Sequence, residues 1–243
     1  MKTPAYQSVG DTYKTRDRFA QLDQETLRRS QALGFSPQVI FDIGASDGSW
    51  SKDIVEVFPN AEFHLFEPLV DHAPAYQAIM AKNLKQYPHF NLHKLALGDK
   101  EEVVTINIFP NLVASTVIDM DGSGLNVTPV QVPMRTIDSL IETGSVKQPQ
   151  VIKIDTQGYE LSILRGAVNT LPQVSVLLLE CWLYRGYGSQ TPLLTEIADW
   201  LRSINFRLWD IGDTYRGEDD SLATVDCVFI NTQLGLTPSW YYE

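Results

Sequence analysis

The chain has 243 residues, 44% hydrophobic and 20% charged, a balance that suits a soluble globular protein with one sizeable core. Its formal net charge of −11 weighs against nucleic acid or an anionic membrane as partner, because phosphate recognition draws on clustered Lys and Arg and no basic block occurs. With neither a signal-peptide core near the amino terminus nor an apolar run long enough to cross a bilayer, a cytoplasmic protein is expected.

Cys181 and Cys227 lie inside apolar runs, as buried small hydrophobes do, which argues against a disulfide or a metal cluster. In chain order, residues 1–16 are polar, lack periodicity and read as an extended arm or a flexible lead-in. From Asp17 to Leu33 the positions Phe19, Leu22, Leu27 and Leu33 recur at helical spacing before Gly34, which predicts a helix flanking a sheet. Residues 38–43 predict a first strand, Trp50 to Phe58 a helix stopped by Pro59-Asn60, and Ala61 to Phe66 a second strand. A helix over 71–86 and a third strand from Phe90 to Leu97 follow.

Between Glu102 and Thr136 the pattern changes. Val103 to Phe109 and Val130 to Met134 read as β-segments, separated by the turn-rich Asn111 to Thr116 and Asp119 to Asn126. This predicts an inserted β excursion, serving either as an acceptor-site lid or as surface decoration. Beyond it come strand four (Val151 to Asp155), a helix (Gly158 to Asn169), an apolar central strand (Val174 to Cys181) and an aromatic loop with glycine hinges (Trp182 to Gly188). A helix from Leu193 to Ile204 and strands at Phe206 to Ile211 and Val225 to Ile230 complete the series. Alternating strands and helices argue for a parallel sheet. The tail from Pro238 to Glu243 holds Trp240, Tyr241 and Tyr242 and could dock on the body or on a second subunit, giving a homodimer.

The chain is organised around Asp42-Ile43-Gly44-Ala45-Ser46-Asp47-Gly48, where the first strand stops and turns into a helix whose exposed amides would face a cofactor. Ser49 stands where the dinucleotide fingerprint has its third glycine, so a nicotinamide nucleotide fits poorly. The acidic-x-Gly-x-x-x-Gly spacing fits S-adenosylmethionine better. Gly44 and Gly48 let the backbone approach its methionine part, and Asp42 could bond its ammonium group, directly or through water. Glu67 lies 19 residues beyond Gly48, about where an open α/β sheet holds a nucleoside ribose. The alternative is an ordinary strand-to-helix turn of an unrelated α/β protein.

Four segments, Val39 to Gly48, His64 to Pro68, Leu95 to Asp99 and Ile-Lys-Ile-Asp-Thr-Gln-Gly-Tyr-Glu-Leu-Ser-Ile-Leu-Arg-Gly-Ala (152–167), occur in that order. Together they resemble the FkbM-type S-adenosylmethionine-dependent methyltransferases, over about Leu33 to Ile230. The resemblance implies a class I methyltransferase, Rossmann-like α/β fold: a seven-stranded, mostly parallel sheet with helices on both faces and the last strand antiparallel. That domain would span 35–243, behind the arm and flanking helix of 1–34. It also implies methyl transfer, mostly to hydroxyl groups of small molecules or sugars. By family position Asp42, Gly44, Ala45 and Gly48 would line the methionine part, with Ser46 in the same turn, Glu67 would hold the ribose hydroxyls, and Asp99 would neighbour the adenine. Two departures touch the acceptor side: Thr156-Gln157 stands where many members have Val-Glu, and Asn111 to Thr116 only loosely resembles a Ser-Ser-Leu element.

Methyl transfer from a sulfonium is an in-line displacement, so the protein has to align an acceptor oxygen and remove its proton. Asp155 and Glu180, at the carboxyl ends of strands four and five, should face the crevice where open sheets bind ligands. They are the candidate catalytic residues, and Asp155 is a cofactor candidate as well. With Glu160 nearby, Asp155 and Glu180 could also hold a hard divalent cation that lowers the acceptor's pKa. Helix caps and turn acceptors are the plainer roles for such carboxylates. Lys153 shares the face of Asp155 and could pair with a carboxylate. Of the histidines, His64 and His93 suit strand-face roles and His72 and His89 solvent-facing ones. Trp182, Tyr184 and Tyr187 could stack on an apolar or sugar acceptor. The preferred reading is an S-adenosylmethionine-dependent O-methyltransferase with a small-molecule or glycan acceptor. A non-catalytic cofactor- or partner-binding module of the same fold, or a nicotinamide-dependent oxidoreductase, are the alternatives.

Overall fold

The computed structural model describes residues 24–110, 112–118, 127–217 and 219–236. Expectations for the arm at 1–16, for the turn-rich residues 119–126 and for the aromatic tail at 238–243 lie outside the described residues. Among the described residues no helix is long and apolar enough to cross a membrane.

The elements run α1 (24–32), β1 (Val39–Ile43), α2 (Ser49–Ile54), β2 (Glu62–Phe66), α3 (Pro74–Gln86), β3 (Phe90–His93), β4 (Ala96–Leu97), β5 (Glu102–Ile108), β6 (Thr128–Arg135) and α4 (Ile137–Glu142). They continue β7 (Val151–Ile154), α5 (Glu160–Arg165), β8 (Val176–Trp182), α6 (Leu194–Ser203), β9 (Phe206–Arg216) and β10 (Leu222–Asn231). Seven strands form one sheet in the order β3-β2-β1-β7-β8-β10-β9, parallel except for β10, which is antiparallel to both neighbours.

Alternation along the central strands divides the core into two layers. Phe41, Ile43, Ile152, Ile154 and Leu177 face α4, α5 and α6. Ile40, Phe63, Leu65, Val151 and Leu178 face Leu27 of α1, Ile54 of α2 and Met80 of α3. Helices α2, α4 and α5 have six residues each, too few to be stable alone. Burial holds them instead, at about 1.5–3 kcal/mol for each large side chain removed from water.

The excursion is a three-stranded sheet, β4-β6-β5, whose Ile106, Val132 and Met134 pack on Leu69 and Ala73 of the β2–α3 connection and on Tyr76 of α3. The expected third strand over 90–97 is in fact two strands. Parallel pairing with β2 ends at Phe66↔His93, and Ala96-Leu97 leaves to pair with β6. Helix α4 was not expected, although Thr136 caps it by accepting the amide of Ser139 at 3.0 Å and Ile137 and Leu140 face the core. Helix α5 is shorter than the predicted 158–169. It stops at Gly166, where a Cβ would lie 1.9 Å from the carbonyl oxygen of Gly98. Strand β9 runs five residues past the predicted Ile211, as a sheet edge whose polar alternation hid it.

Candidate active site

The crevice lies at the carboxyl ends of β1 and β7, where the order of the sheet reverses. Gly44, at the end of β1, is left-handed (φ 71°), and a Cβ there would sit 1.9 Å from the carbonyl oxygen of Asp155. Only glycine lets the two strand ends meet so closely. The amides of Gly44 and Ala45 both donate to the Phe66 carbonyl, at 3.0 and 3.2 Å, and that of Gly48 donates to the Ala45 carbonyl at 2.7 Å. The Ser46 amide donates to Glu67 Oε2 at 2.8 Å. Exposed amides facing a cofactor were expected. The turn instead uses these four N–H groups on its own scaffold, and what it presents is a close-lying backbone.

Glu67 is almost wholly buried, with Oε2 on the Ser46 amide and Oε1 on the Leu69 amide, each at 2.8 Å. Burial pushes its carboxyl up to about 7, against the pull of those two amides. Each oxygen keeps a further lone pair, the acceptor chemistry a vicinal diol needs, so the residues present fit a nucleoside ribose. One residue of α3 that no sequence signal pointed to braces this turn: Asn83 Nδ2 donates to the Asp47 carbonyl at 3.0 Å.

Asp42 is fully buried beneath the turn rather than open to the crevice. Its Oδ2 accepts the Ser51 hydroxyl at 2.7 Å, and its Oδ1 lies 3.2 Å from Lys153 Nζ. Lys153 also donates to the Gly44 carbonyl at 2.9 Å and stands 3.8 Å from Asp155 Oδ2. Burial alone would lower its pKa, but the charges of Asp42 and then Asp155 outweigh that and raise it.

Asp155, with 45% of its side chain exposed, and the half-buried Glu180 are joined by one carboxamide. Gln157 Nε2 donates to Asp155 Oδ1 at 3.0 Å and to Glu180 Oε2 at 2.9 Å. The Tyr187 hydroxyl donates to Gln157 Oε1 at 2.7 Å, and Thr116 Oγ1 to the Gln157 carbonyl at 2.8 Å. The excursion and the aromatic loop therefore both close on one residue. Burial holds the Glu180 carboxyl well above the usual range, and the charges of Asp155 and Glu160 add to it. Burial raises the Tyr187 phenol too, followed by the Glu180 charge.

Glu160 is fully buried, and its Oε1 caps its own turn, accepting the Thr156 amide, the Thr156 hydroxyl and the Gly158 amide at 3.0–3.1 Å. Its Oε2 has no hydrogen-bond partner among the described residues, and burial pushes the carboxyl up to about 7. Among the described residues no group of three or more His, Cys, Asp or Glu is placed to hold a metal ion. In the pair Asp155 and Glu180, Gln157 already bonds one oxygen of each.

Asp99 is exposed, and its Cα lies against Gly166 at the carboxyl end of α5, while the preceding Gly98 packs on Tyr159 at the start of that helix. Trp182 is buried, with Tyr184 and Tyr187 edge-on to it at 5.9 and 5.1 Å and Gly186 packed on its ring, so it acts as core. Tyr184 is 47% exposed. His64 and His93 bond each other at 2.9 Å, and His64 also bonds Glu62 at 3.0 Å, which gives both a structural place on the sheet. Cys181 and Cys227 are buried free thiols.

The family profile for the methyltransferase FkbM domain matches residues 42–208. The hexuronic acid methyltransferase AglP of Haloferax volcanii is 26% identical over 192 residues, covering 78% of this chain and 74% of that protein. The 2-O-methyltransferase NoeI of Sinorhizobium fredii is 25% identical over 181 residues, covering 68% and 72%. The solved structure of an FkbM methyltransferase from Methylobacillus flagellatus superposes with a TM-score of 0.51 at 20% identity. That match covers 80% of this chain and 43% of the other, so the present chain spans less than half of that relative.

Proposed function

The chain belongs to the FkbM methyltransferase family, and from that premise we propose that it moves the methyl group of S-adenosylmethionine to a hydroxyl of a saccharide or related small molecule. The observation that carries this reading is the contact between two halves of the crevice. The turn at Gly44, which leads to Glu67, touches the carbonyl of Asp155, and Asp155 is linked through Gln157 to Glu180. Donor-binding chemistry and proton-accepting chemistry thus adjoin, as an in-line displacement requires. The names of the relatives support the acceptor class: one methylates a hexuronic acid, the other is a 2-O-methyltransferase.

The sulfonium donor supplies the methyl group as an electrophile, and the S–C electron pair stays with sulfur. This chain's residues do the rest. Glu67 holds the ribose hydroxyls, with Gly44, Ala45, Ser46 and Gly48 keeping the backbone close to the methionine part. Asp42 acts indirectly, by fixing Lys153 under the turn. The carboxylate of Glu180, with Asp155 beside it, takes the acceptor's proton as the new O–C bond forms. Thr116 and Ile118 of the excursion, Tyr187 of the aromatic loop and Thr191 just beyond it frame the acceptor, since Gly158 lies in contact with Ile118 and Thr191.

Calorimetry with S-adenosylmethionine and release of S-adenosylhomocysteine in the presence of a saccharide panel test the proposal. Donor binding with saccharide-dependent release is the expected result. No donor binding, or turnover unchanged in both Asp155→Asn and Glu180→Gln, would overturn it.

A further inference from the structure

We propose that Gln157 is the positioning residue of the acid pair, its amide nitrogen bridging Asp155 and Glu180 where a divalent cation shared by the same two oxygens would sit. The inference rests on the reading of that pair as the proton acceptor. Carboxylates only accept hydrogen bonds, so the amide must turn its nitrogen to them and its oxygen outward. Tyr187 then fixes that orientation by donating to the oxygen at 2.7 Å. The two hydrogens of Nε2 go one to each acid, at 3.0 and 2.9 Å. A magnesium ion bridging these two oxygens would need them at about 2.0–2.1 Å and a calcium ion at about 2.3–2.6 Å, space the amide group already fills.

The backbone is committed to the same arrangement. Gln157 is left-handed (φ 59°), an uncommon state for a residue with a side chain, and its carbonyl is held by Thr116 at 2.8 Å. Strain at this position is offset by contacts from the excursion, the aromatic loop and both strand ends. Gln157 thereby does without charge what a bridging cation does with it: it holds two acids side by side and leaves Asp155 Oδ2 and Glu180 Oε1 for other partners. The charged and titratable groups around the pair are Lys153 on β7, Glu160 on α5, Asp226 across from Glu180 on β10, and Tyr187 on the loop.

The test is Mn2+ binding to the full chain, followed by calorimetry and by the Mn2+ electron-spin signal, alongside steady-state kinetics. Wild type should take up no Mn2+ that depends on Asp155. Gln157→Glu, which puts a third carboxylate in place of the donor, should bind Mn2+ at least tenfold more tightly than wild type and lose it when Asp155→Asn is added. Gln157→Met, which keeps the volume and removes both donors, should lower kcat at least tenfold with donor affinity and melting temperature unchanged. Asp155-dependent Mn2+ binding by wild type overturns the proposal. So does wild-type kcat in Gln157→Met while Asp155→Asn and Glu180→Gln are impaired. If those two acid variants keep full activity, the reading of the pair as proton acceptor fails, and the Mn2+ result still decides whether Gln157 fills the cation's place.

Discussion

The ammonium of Lys153 lies 3.2 Å from a carboxylate oxygen of Asp42 that is shut off from solvent. Through its further bond to the Gly44 carbonyl, this pair fastens the turn after β1 to strand β7 from below. The first acidic residue of the turn is thus a foundation for the crevice rather than part of its wall.

Removing one member of such a pair leaves the other charged, buried and uncompensated. Lys153→Met should therefore cost about 3–5 kcal/mol in urea unfolding. The double variant Asp42→Leu, Lys153→Met should be more stable than the single one, because no lone charge remains. A double variant as unstable as the single one would show that the pair is not the main term.

The stability of the chain should fall as pH rises from about 5 to 8, in part through Glu160. Its carboxyl is at about 7 when folded, against 4.5 as its ordinary value, so the folded state holds the proton more tightly in that window. The contribution is complete below pH ~4.5 and is lost as pH rises through about 7. Glu160→Gln should flatten this part of the curve, since an amide keeps an acceptor for Thr156 and Gly158 and does not titrate. An unchanged slope of unfolding free energy against pH would exclude Glu160 as its source.

Glu180 accepts a proton only when ionised, and burial together with Asp155 keeps it protonated beyond the ordinary carboxylate range. The kcat–pH profile should accordingly climb at pH values above that range, in the direction of increasing pH. In Glu180→Gln the climbing limb should disappear and the rate fall about 10²- to 10⁴-fold. A surviving limb would assign the proton to another group.

Glu67→Gln replaces one acceptor oxygen with an NH2 that cannot bond both a backbone amide and a diol. Calorimetric affinity for S-adenosylmethionine should weaken by about 1–3 kcal/mol. Affinity equal to wild type would remove Glu67 from the donor site.

Thr116→Val and Tyr187→Phe each free one attachment of Gln157 without touching the donor turn. Both should raise the acceptor KM severalfold while donor affinity stays constant. If donor affinity changes instead, the excursion and the loop brace the turn rather than frame the acceptor.

Much of this protein could be read along the chain. The apolar run ending at Asp42, the glycines at 44 and 48 and the acid at Glu67 fix a strand, a tight turn and a second strand by local sterics and alternation alone. The apolar continuity of β8 told of a central strand before any partner was known. Tertiary structure decided which way the polar groups face and whom they meet. Asp42 and Lys153 meet because β1 and β7 are adjacent, 111 residues apart in sequence. Chain exchange between two sheets splits 90–97 at Lys94-Leu95. Gln157 looked like a departure from a familiar motif; its importance comes from four partners drawn from the residue after β7, β8, the excursion and the aromatic loop. Patterns of period two and glycine spacing record a residue's own conformation, whereas a hydrogen bond between distant residues is set by strand order and layer packing, which leave no local mark.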